Sequence, residues 1–400
     1  MRDPKASSAS FNFENLDLSW LRRKEGIKWR RAGREVLPAW MADMDFPVAE
    51  PIGEAIAEVV QRGDVGYPAW SNWMGSSPLA EPFARRMDDL YGWQPQPEWV
   101  RNFSDLIQAV QVVLYLATAP GEAVAVHVPN YPPILKTIEM MGRRLVGSPM
   151  ERVGDDWSFD PGRLEREVAE AGCRTLIFVN PHNPTGHVFT RDELQAIADI
   201  AIQNDMLVVS DEIFAELAYP PYRHIPLASL GPEIACRTVT LTSATKAFNL
   251  AGLRCAVAHV GANRLREALD GCPPDLFGVL DVLGVEATRA AWAKGDAWLA
   301  ALMDHLRANR DLIAATLTAE APAIGYHPPQ AMFLAWLDCR RLETTPEPAA
   351  FFEAKARVLL SAGEGYGPGG KGFVRLNFAT SATILTEMLN RMATAVNGER

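Results

Sequence analysis

The chain has 400 residues, with 39 Lys and Arg against 49 Asp and Glu, a net charge of −10 at neutral pH. This argues against a nucleic-acid partner, because phosphate backbones are bound by basic faces. Hydrophobic residues make up 48% and charged residues 22%, the proportions of a soluble globular protein able to bury a large core, packed as two intimate lobes. Cys173, Cys236, Cys255, Cys272 and Cys339 show no metal spacing and leave an odd one, which predicts a reduced, cytoplasmic setting. Residues 1–10 lack an apolar core for secretion, and no apolar run is long enough to span a bilayer. There is no internal repeat or low-complexity segment.

In chain order, Ala123–Val128 reads as a strand and Pro161–Gly172 as a helix capped by Asp160, with proline at its first position. Strands are predicted at Thr175–Val179, Leu207–Ser210, Thr238–Thr242 and Cys255–Val260, with helices between several of them. The alternation predicts a mostly parallel sheet covered on both faces. After the first of these four strands, the prolines and Gly186 of VNPHNPTG (Val179 to Gly186) force a turn that presents Asn183, and Thr190 with Glu193 forms a capping box for the next helix. A loop is expected at 271–274, and the stretch from Val282 to Leu317 reads as strongly helical, leading into a smaller lobe formed with the N-terminal segment.

In such sheets ligands gather at the carboxyl ends of the strands. Asn183, Asp211 and the Ser243–Lys246 pair each fall just past or at such an end, so the spacing predicts that they converge. A carboxylate at the end of a buried strand, as at Asp211, needs a cation or a donor; a protonated ring nitrogen meets that need, and so does capping the following turn. In TSATKAFNLAGLR, Lys246 lies three residues after Ser243 and eight before Arg254. That grouping suits an amine joined to a carbonyl cofactor, with hydroxyl, guanidinium and backbone N–H groups on a phosphate; a solvated strand-end lysine is the alternative. Arg375, inside the apolar FVRLNFAT, implies a bidentate carboxylate partner from the protein or from a substrate.

Taken together, Asn183, Asp211, Ser243, Lys246, Arg254 and Arg375 resemble, in order and approximate spacing, the signature of fold-type I pyridoxal-phosphate enzymes, the aspartate aminotransferase superfamily. WMADMDFPVAEPI (Trp40 to Ile52) and GYGPGGKGFVRLNFAT (Gly365 to Thr380) are similar to its cystathionine β-lyase and C–S lyase branch. The resemblance runs from about Phe11 to the end. It implies an α/β, aspartate-aminotransferase-like fold: a large domain (56–285) whose mostly parallel central sheet is flanked by helices, and a smaller α+β domain (286–400) joined by an N-terminal segment (1–55).

The same resemblance implies pyridoxal 5′-phosphate as cofactor. Lys246 would hold it as a Schiff base and then act as general acid and base at the substrate Cα. Asp211 would keep the pyridine nitrogen protonated, and its own pKa is expected to fall beside that cation. Asn183 would bond the phenolic oxygen, and Tyr131 would stack on the ring, a turn aromatic being its other role. Ser243, Arg254 and backbone at Ser104, Asp105 and Leu106 would bind the phosphate. Tyr67 matches a tyrosine that reaches the phosphate of a neighbouring subunit, so a homodimer with shared active sites is implied. Arg375, with backbone near Ala42, would clamp the substrate carboxylate.

One position departs from the superfamily pattern. Three residues after Asp211, where it usually carries tyrosine or histidine, stands Phe214. A lost donor to an ionised phenolate is a difference of roughly 1–3 kcal/mol; simple packing of Phe214, with Asn183 sufficing, is the other reading. His182 and His224 occupy no recognised position and read as solvated loop histidines. The branch resemblance favours β-elimination from a cysteine S-conjugate to thiol, pyruvate and ammonia. Decarboxylating oxidative deamination of a bulky cysteine thioether, as in antibiotic pathways such as lincosamide assembly, is the runner-up. Transamination, and a non-catalytic pyridoxal-phosphate-binding regulator, are the further alternatives.

Overall fold

The computed structural model describes residues 11–70, 77–154, 156–273, 275–342, 344 and 346–398. The stretch 1–10, read above for a secretion signal, and Pro274 of the expected loop lie outside the described residues. An eight-stranded sheet runs from edge to edge through Val100–Phe103, Ala256–Val260, Thr238–Thr242, Leu207–Asp211, Thr175–Val179, Ala123–Val128, Arg144–Val153 and Asp156–Phe159. The five strands from Thr238–Thr242 to Arg144–Val153 are mutually parallel, while the pairings nearer each edge are antiparallel.

The central strands are apolar because both of their faces are covered. Along Thr175–Val179, Leu176 and Phe178 enter one core with Leu164, Val168, Leu194 and Ile197 of the flanking helices. Ile177 and Val179 enter the opposite core with Val110, Val113 and Leu114 of the helix Leu106–Ala117. This alternation is the period-two geometry of a strand, applied with apolar residues on both sides.

Most element boundaries follow the sequence reading. The last strand of that reading begins at Ala256 rather than Cys255, and Leu207–Asp211 takes in the carboxylate itself. Asp160 caps Pro161–Ala171, and Thr190 with Glu193 closes a capping box. The stretch read as continuously helical is two helices, Val282–Lys294 and Asp296–Glu320, broken at Gly295. A Cβ at Gly295 would come within 2.4 Å of the Phe248 ring, so only glycine permits this approach.

A smaller antiparallel sheet orders Gly325–Tyr326, Leu334–Asp338, Phe373–Asn377 and Ser361–Ala362, packed with the helices Asp296–Glu320 and Ala382–Asn397. The N-terminal segment packs beside it: Leu37–Pro38 forms a separate two-stranded parallel sheet with Val358–Leu359, and Asp45 N–H donates to the Ala379 carbonyl at 3.0 Å. No helix among the described residues is long and apolar enough to cross a membrane.

The segment Ala42–Phe46 is fixed from below by a buried ion pair. Asp45 Oδ1 accepts from Lys28 Nζ at 2.8 Å and from Trp29 Nε1 at 2.7 Å, with both charged side chains almost wholly enclosed. Removing the carboxylate leaves an ammonium in the core, which costs about 3–5 kcal/mol. Asp45→Ala is therefore expected to lower the unfolding free energy measured by urea titration by that much; a loss below about 1 kcal/mol, the scale of an exposed pair, would contradict the burial argument.

Candidate active site

Register aligns the strand ends. Val179 is opposite Asp211, and Asp211 is opposite Leu241, so three parallel strands finish level and their connecting segments leave from one edge. Asp211 closes the middle strand with its side chain buried; Oδ1 accepts the Ile213 N–H at 3.1 Å. Its proton affinity in the protein alone is set by burial. Burial pushes the carboxyl up to about 7; the Ile213 N–H draws it down, neighbouring Glu212 draws it up and Lys246 draws it down. The expected fall required a cation in contact with the carboxylate, and the protein supplies only the more distant Lys246 amine, so desolvation dominates.

Lys246 lies on the single helical turn Ala244–Ala247, which Ser243 caps by accepting the Thr245 N–H at 3.1 Å. Its Nζ donates to the Ala42 carbonyl at 2.8 Å. Part of the side chain stays accessible, yet loss of water around it brings the amine down to about 8, with Asp43 pulling up, Arg375 pulling down and Asp211 pulling up. An amine held near neutrality is a usable nucleophile and base. Ala42 is in place because Asn249 brackets the next residues: Oδ1 accepts from Met44 N–H at 3.0 Å, and Nδ2 donates to the Met44 and Phe46 carbonyls at 3.2 and 2.8 Å. Asn377 Nδ2 adds donations to the Met41 and Asp43 carbonyls at 2.6 and 2.7 Å.

Arg375 is buried on Phe373–Asn377, one of the two inner strands of the small sheet. Nη1 donates to Asn183 Oδ1 at 3.1 Å and Nη2 to the Trp40 carbonyl at 3.2 Å, joining the two sheets and the N-terminal segment at one point. Asn183 is held by its turn. Gly186, at φ +76°, donates to the His182 carbonyl and packs so closely on Pro329 that a Cβ there would lie 2.3 Å from the proline Cβ. Tyr131 precedes the helix Pro132–Met140; burial raises its phenol, Arg375 lowers it, and Tyr366, Asp211 and Asp105 raise it.

Ser104, Asp105 and Leu106 begin the helix Leu106–Ala117. Here donors and acceptors already satisfy one another. Asp105 accepts the Gln108 N–H at 2.8 Å and pairs with Arg254 at 2.9 Å; Ser104 N–H donates to Gln108 Oε1 at 2.7 Å; Ser243 Oγ donates to the Cys255 carbonyl at 2.5 Å. An incoming anion would take over donors now held by Asp105 and Gln108. Tyr67 stands apart from the rest: it is fully exposed, on the rim of a cavity of about 810 Å³ that reaches Phe103 and Ser104.

Phe214 is buried and meets Phe333 edge to face at 5.9 Å. The two histidines correct the sequence reading: neither is solvated. His182 is enclosed beside Thr185 Oγ1 at 2.8 Å, with burial holding its imidazole well below the ordinary range; His224 is enclosed against Glu212 at 2.8 Å. Sequence reasoning missed Asn249, Asn377 and Tyr366, although Asn377 and Tyr366 lie in the same C-terminal motif as Arg375.

Among the described residues no cluster of His, Cys, Asp or Glu is arranged to hold a metal ion. The donor set fits a phosphorylated pyridine aldehyde: a near-neutral amine, a buried carboxyl without a contacting cation, and a buried guanidinium whose Nε has no partner among the described residues. Known proteins point the same way. A putative cystathionine beta-lyase of Mycobacterium leprae is 34% identical over 96% of this chain and 98% of its own. The cystathionine beta-lyase PatB of Bacillus subtilis is 31% identical over 93% and 97%. A pyridoxal-phosphate-bound C-S lyase from Staphylococcus hominis superposes with a TM-score of 0.89 at 27% identity, covering 96% of this chain and 99% of that one. Residues 72–392 match the family model for aminotransferase class I and II, and the chain belongs to that family.

Proposed function

We propose that this enzyme is a pyridoxal-phosphate-dependent C–S β-lyase that cleaves a cysteine S-conjugate to thiol, pyruvate and ammonia. The reading is supported by one arrangement: Lys246 on the Ala42 carbonyl, Arg375 between Asn183 and the nearby Trp40 carbonyl, and the buried Asp211 at the strand end beside Val179. Pyridoxal phosphate, when bound, supplies an electron sink for the pair released at the substrate Cα.

The chain's own residues would do the rest. Lys246 would anchor the aldehyde and then carry the Cα proton. Asp211 would hold the ring nitrogen protonated, and that contact would reverse the rise burial imposes on its carboxyl. Asn183 would donate from its amide nitrogen to the phenolic oxygen while its Oδ1 accepts from Arg375, which ties the ring to the carboxylate clamp. Tyr131 would cover the ring. Ser243, Arg254 and the backbone at Ser104, Asp105 and Leu106 would hold the phosphate. Arg375 would take the substrate carboxylate, with the backbone at Ala42 beside it. Tyr67, fully exposed, would complete the site of a second copy in a cytoplasmic homodimer.

The fate of the substrate would depend on Cβ: a thiolate leaving group there would favour elimination over return of a proton by Lys246. The thioether class is the bulky cysteine conjugate of natural-product assembly, as in lincosamide pathways. A second reading, decarboxylating oxidative deamination, is favoured by Phe214, whose buried ring brings no polar donor to the phenolic oxygen.

A panel of cysteine thioethers with mass-spectrometric product analysis tests the proposal. Pyruvate with free thiol is the expected result, and Lys246→Ala should abolish it. Aldehyde, carbon dioxide and peroxide would establish the second reading instead; amino transfer to a keto acid would reject elimination; absence of any product with bound cofactor would point to a binding protein.

A pH signature follows from Asp211 in protein stripped of ligand. Its carboxyl keeps the proton up to about 7 when folded, but only to about 3.9 in the unfolded chain. The folded state therefore binds more protons between these values, so the associated stability is full below about pH 4 and is lost as pH rises to 7. Measured against Asp211→Asn, the stripped protein should lose about 4 kcal/mol across that window. Parallel curves for the two proteins would show that Asp211 ionises normally.

A further inference from the structure

Arg375 poses a problem of charge. Its side chain is buried, yet it forms no ion pair with a carboxylate among the described residues. Its two hydrogen-bond partners are neutral oxygens, those of Asn183 and Trp40, and Nε is enclosed with no partner among the described residues. A guanidinium has five in-plane N–H donors, so the free edge can still grip an anion in bidentate fashion. What compensates the charge without spending that edge is an aromatic face.

Tyr366 supplies it. The Arg375 Cζ lies 5.2 Å from the centroid of the Tyr366 ring, within the range in which a ring quadrupole attracts a cation. The tyrosine is itself fixed on several sides. Its hydroxyl is 3.2 Å from Ser361 Oγ, its carbonyl accepts the Asn130 N–H at 2.9 Å, and its ring lies 5.0 Å from Trp336. Sheet register explains the grouping: Trp336 and Ser361 are the cross-strand neighbours of Arg375, one on each side, and so project from the same face. Asn130 in turn accepts the Tyr131 N–H at 2.7 Å, which links the clamp to the segment that would cover the ring.

We propose that Tyr366 is a positioning residue: its ring holds the Arg375 guanidinium in a dry, oriented state while leaving the N–H edge open for the α-carboxylate of an amino-acid substrate. This rests on the amino-acid substrate proposed above. A protein carboxylate in the same place would hold the arginine equally well but would compete with the substrate; the π-face does not.

The test compares holoenzyme variants on three probes: S-methylcysteine, its decarboxylated analogue 2-(methylthio)ethylamine, and its deaminated analogue 3-(methylthio)propanoate. In Tyr366→Leu, the KM for S-methylcysteine and the calorimetric Kd for 3-(methylthio)propanoate should rise about tenfold, the scale of a desolvated cation–π contact, with kcat changed by less than about twofold. Binding of the amine, which has no carboxylate, should be unchanged. Tyr366→Phe keeps the face and should return both constants to within about twofold of wild type. Should Tyr366→Leu fail to fold, Tyr366→Met is judged by the same criteria. Equal weakening of the amine, unchanged binding of the propanoate, or a phenylalanine variant as impaired as leucine would overturn the proposal. Wild-type protein that binds the propanoate but makes no thiol or pyruvate from any cysteine thioether, small or bulky, would sink the lyase reading alone and leave the role of Tyr366 standing.

Discussion

The constraint on which this structure depends is the level finish of three parallel strands. Parallel pairing with Val179, Asp211 and Leu241 in register delivers the segments carrying Asn183, Asp211 and Lys246 to one edge of the sheet. Everything chemical follows from what happens to polar groups there. Water is largely excluded, so the carboxyl of Asp211 and the amine of Lys246 are driven toward each other in proton affinity, to about 7 and about 8. Groups with pKa values so displaced mark sites where burial has been tolerated for chemical use.

A strand edge alone would leave these groups open. Closure comes from an N-terminal strap and the small sheet. The Lys28–Asp45 pair sets the strap from one side, Asn249 and Asn377 hold its backbone from others, and the result is a carbonyl, that of Ala42, 2.8 Å from the Lys246 nitrogen. Arg375 then reaches from the small sheet to both Asn183 and Trp40. The tie between the sheets is thus made by the same guanidinium that would take the substrate, so substrate affinity and the relative setting of the two sheets are expected to be coupled through it.

Much of this was legible in the sequence, for physical reasons that also define where legibility stopped. Apolar runs ended by Pro, Gly or a polar residue located the strands Ala123–Val128, Thr175–Val179 and Thr238–Thr242, because local patterning and breakers decide such ends. Contacts across long separations were not legible: Arg375 and Asn183 are 192 positions apart, and nothing in either motif names the other as partner. Environment was misread where burial outweighed local chemistry. His182 and His224 lie in loops, but loops folded under neighbouring segments. The need for glycine at 295 was hidden because the Phe248 ring that packs against it comes from a distant part of the chain.

The central claim is that the ε-amine of Lys246 carries the aldehyde of a vitamin B6 cofactor. Borohydride reduction of the purified holoenzyme, followed by proteolysis and tandem mass spectrometry, tests this directly. The account predicts a single phosphopyridoxyl adduct on the peptide containing Lys246. Reduction that places the adduct on another lysine, or leaves every lysine unmodified, would contradict it.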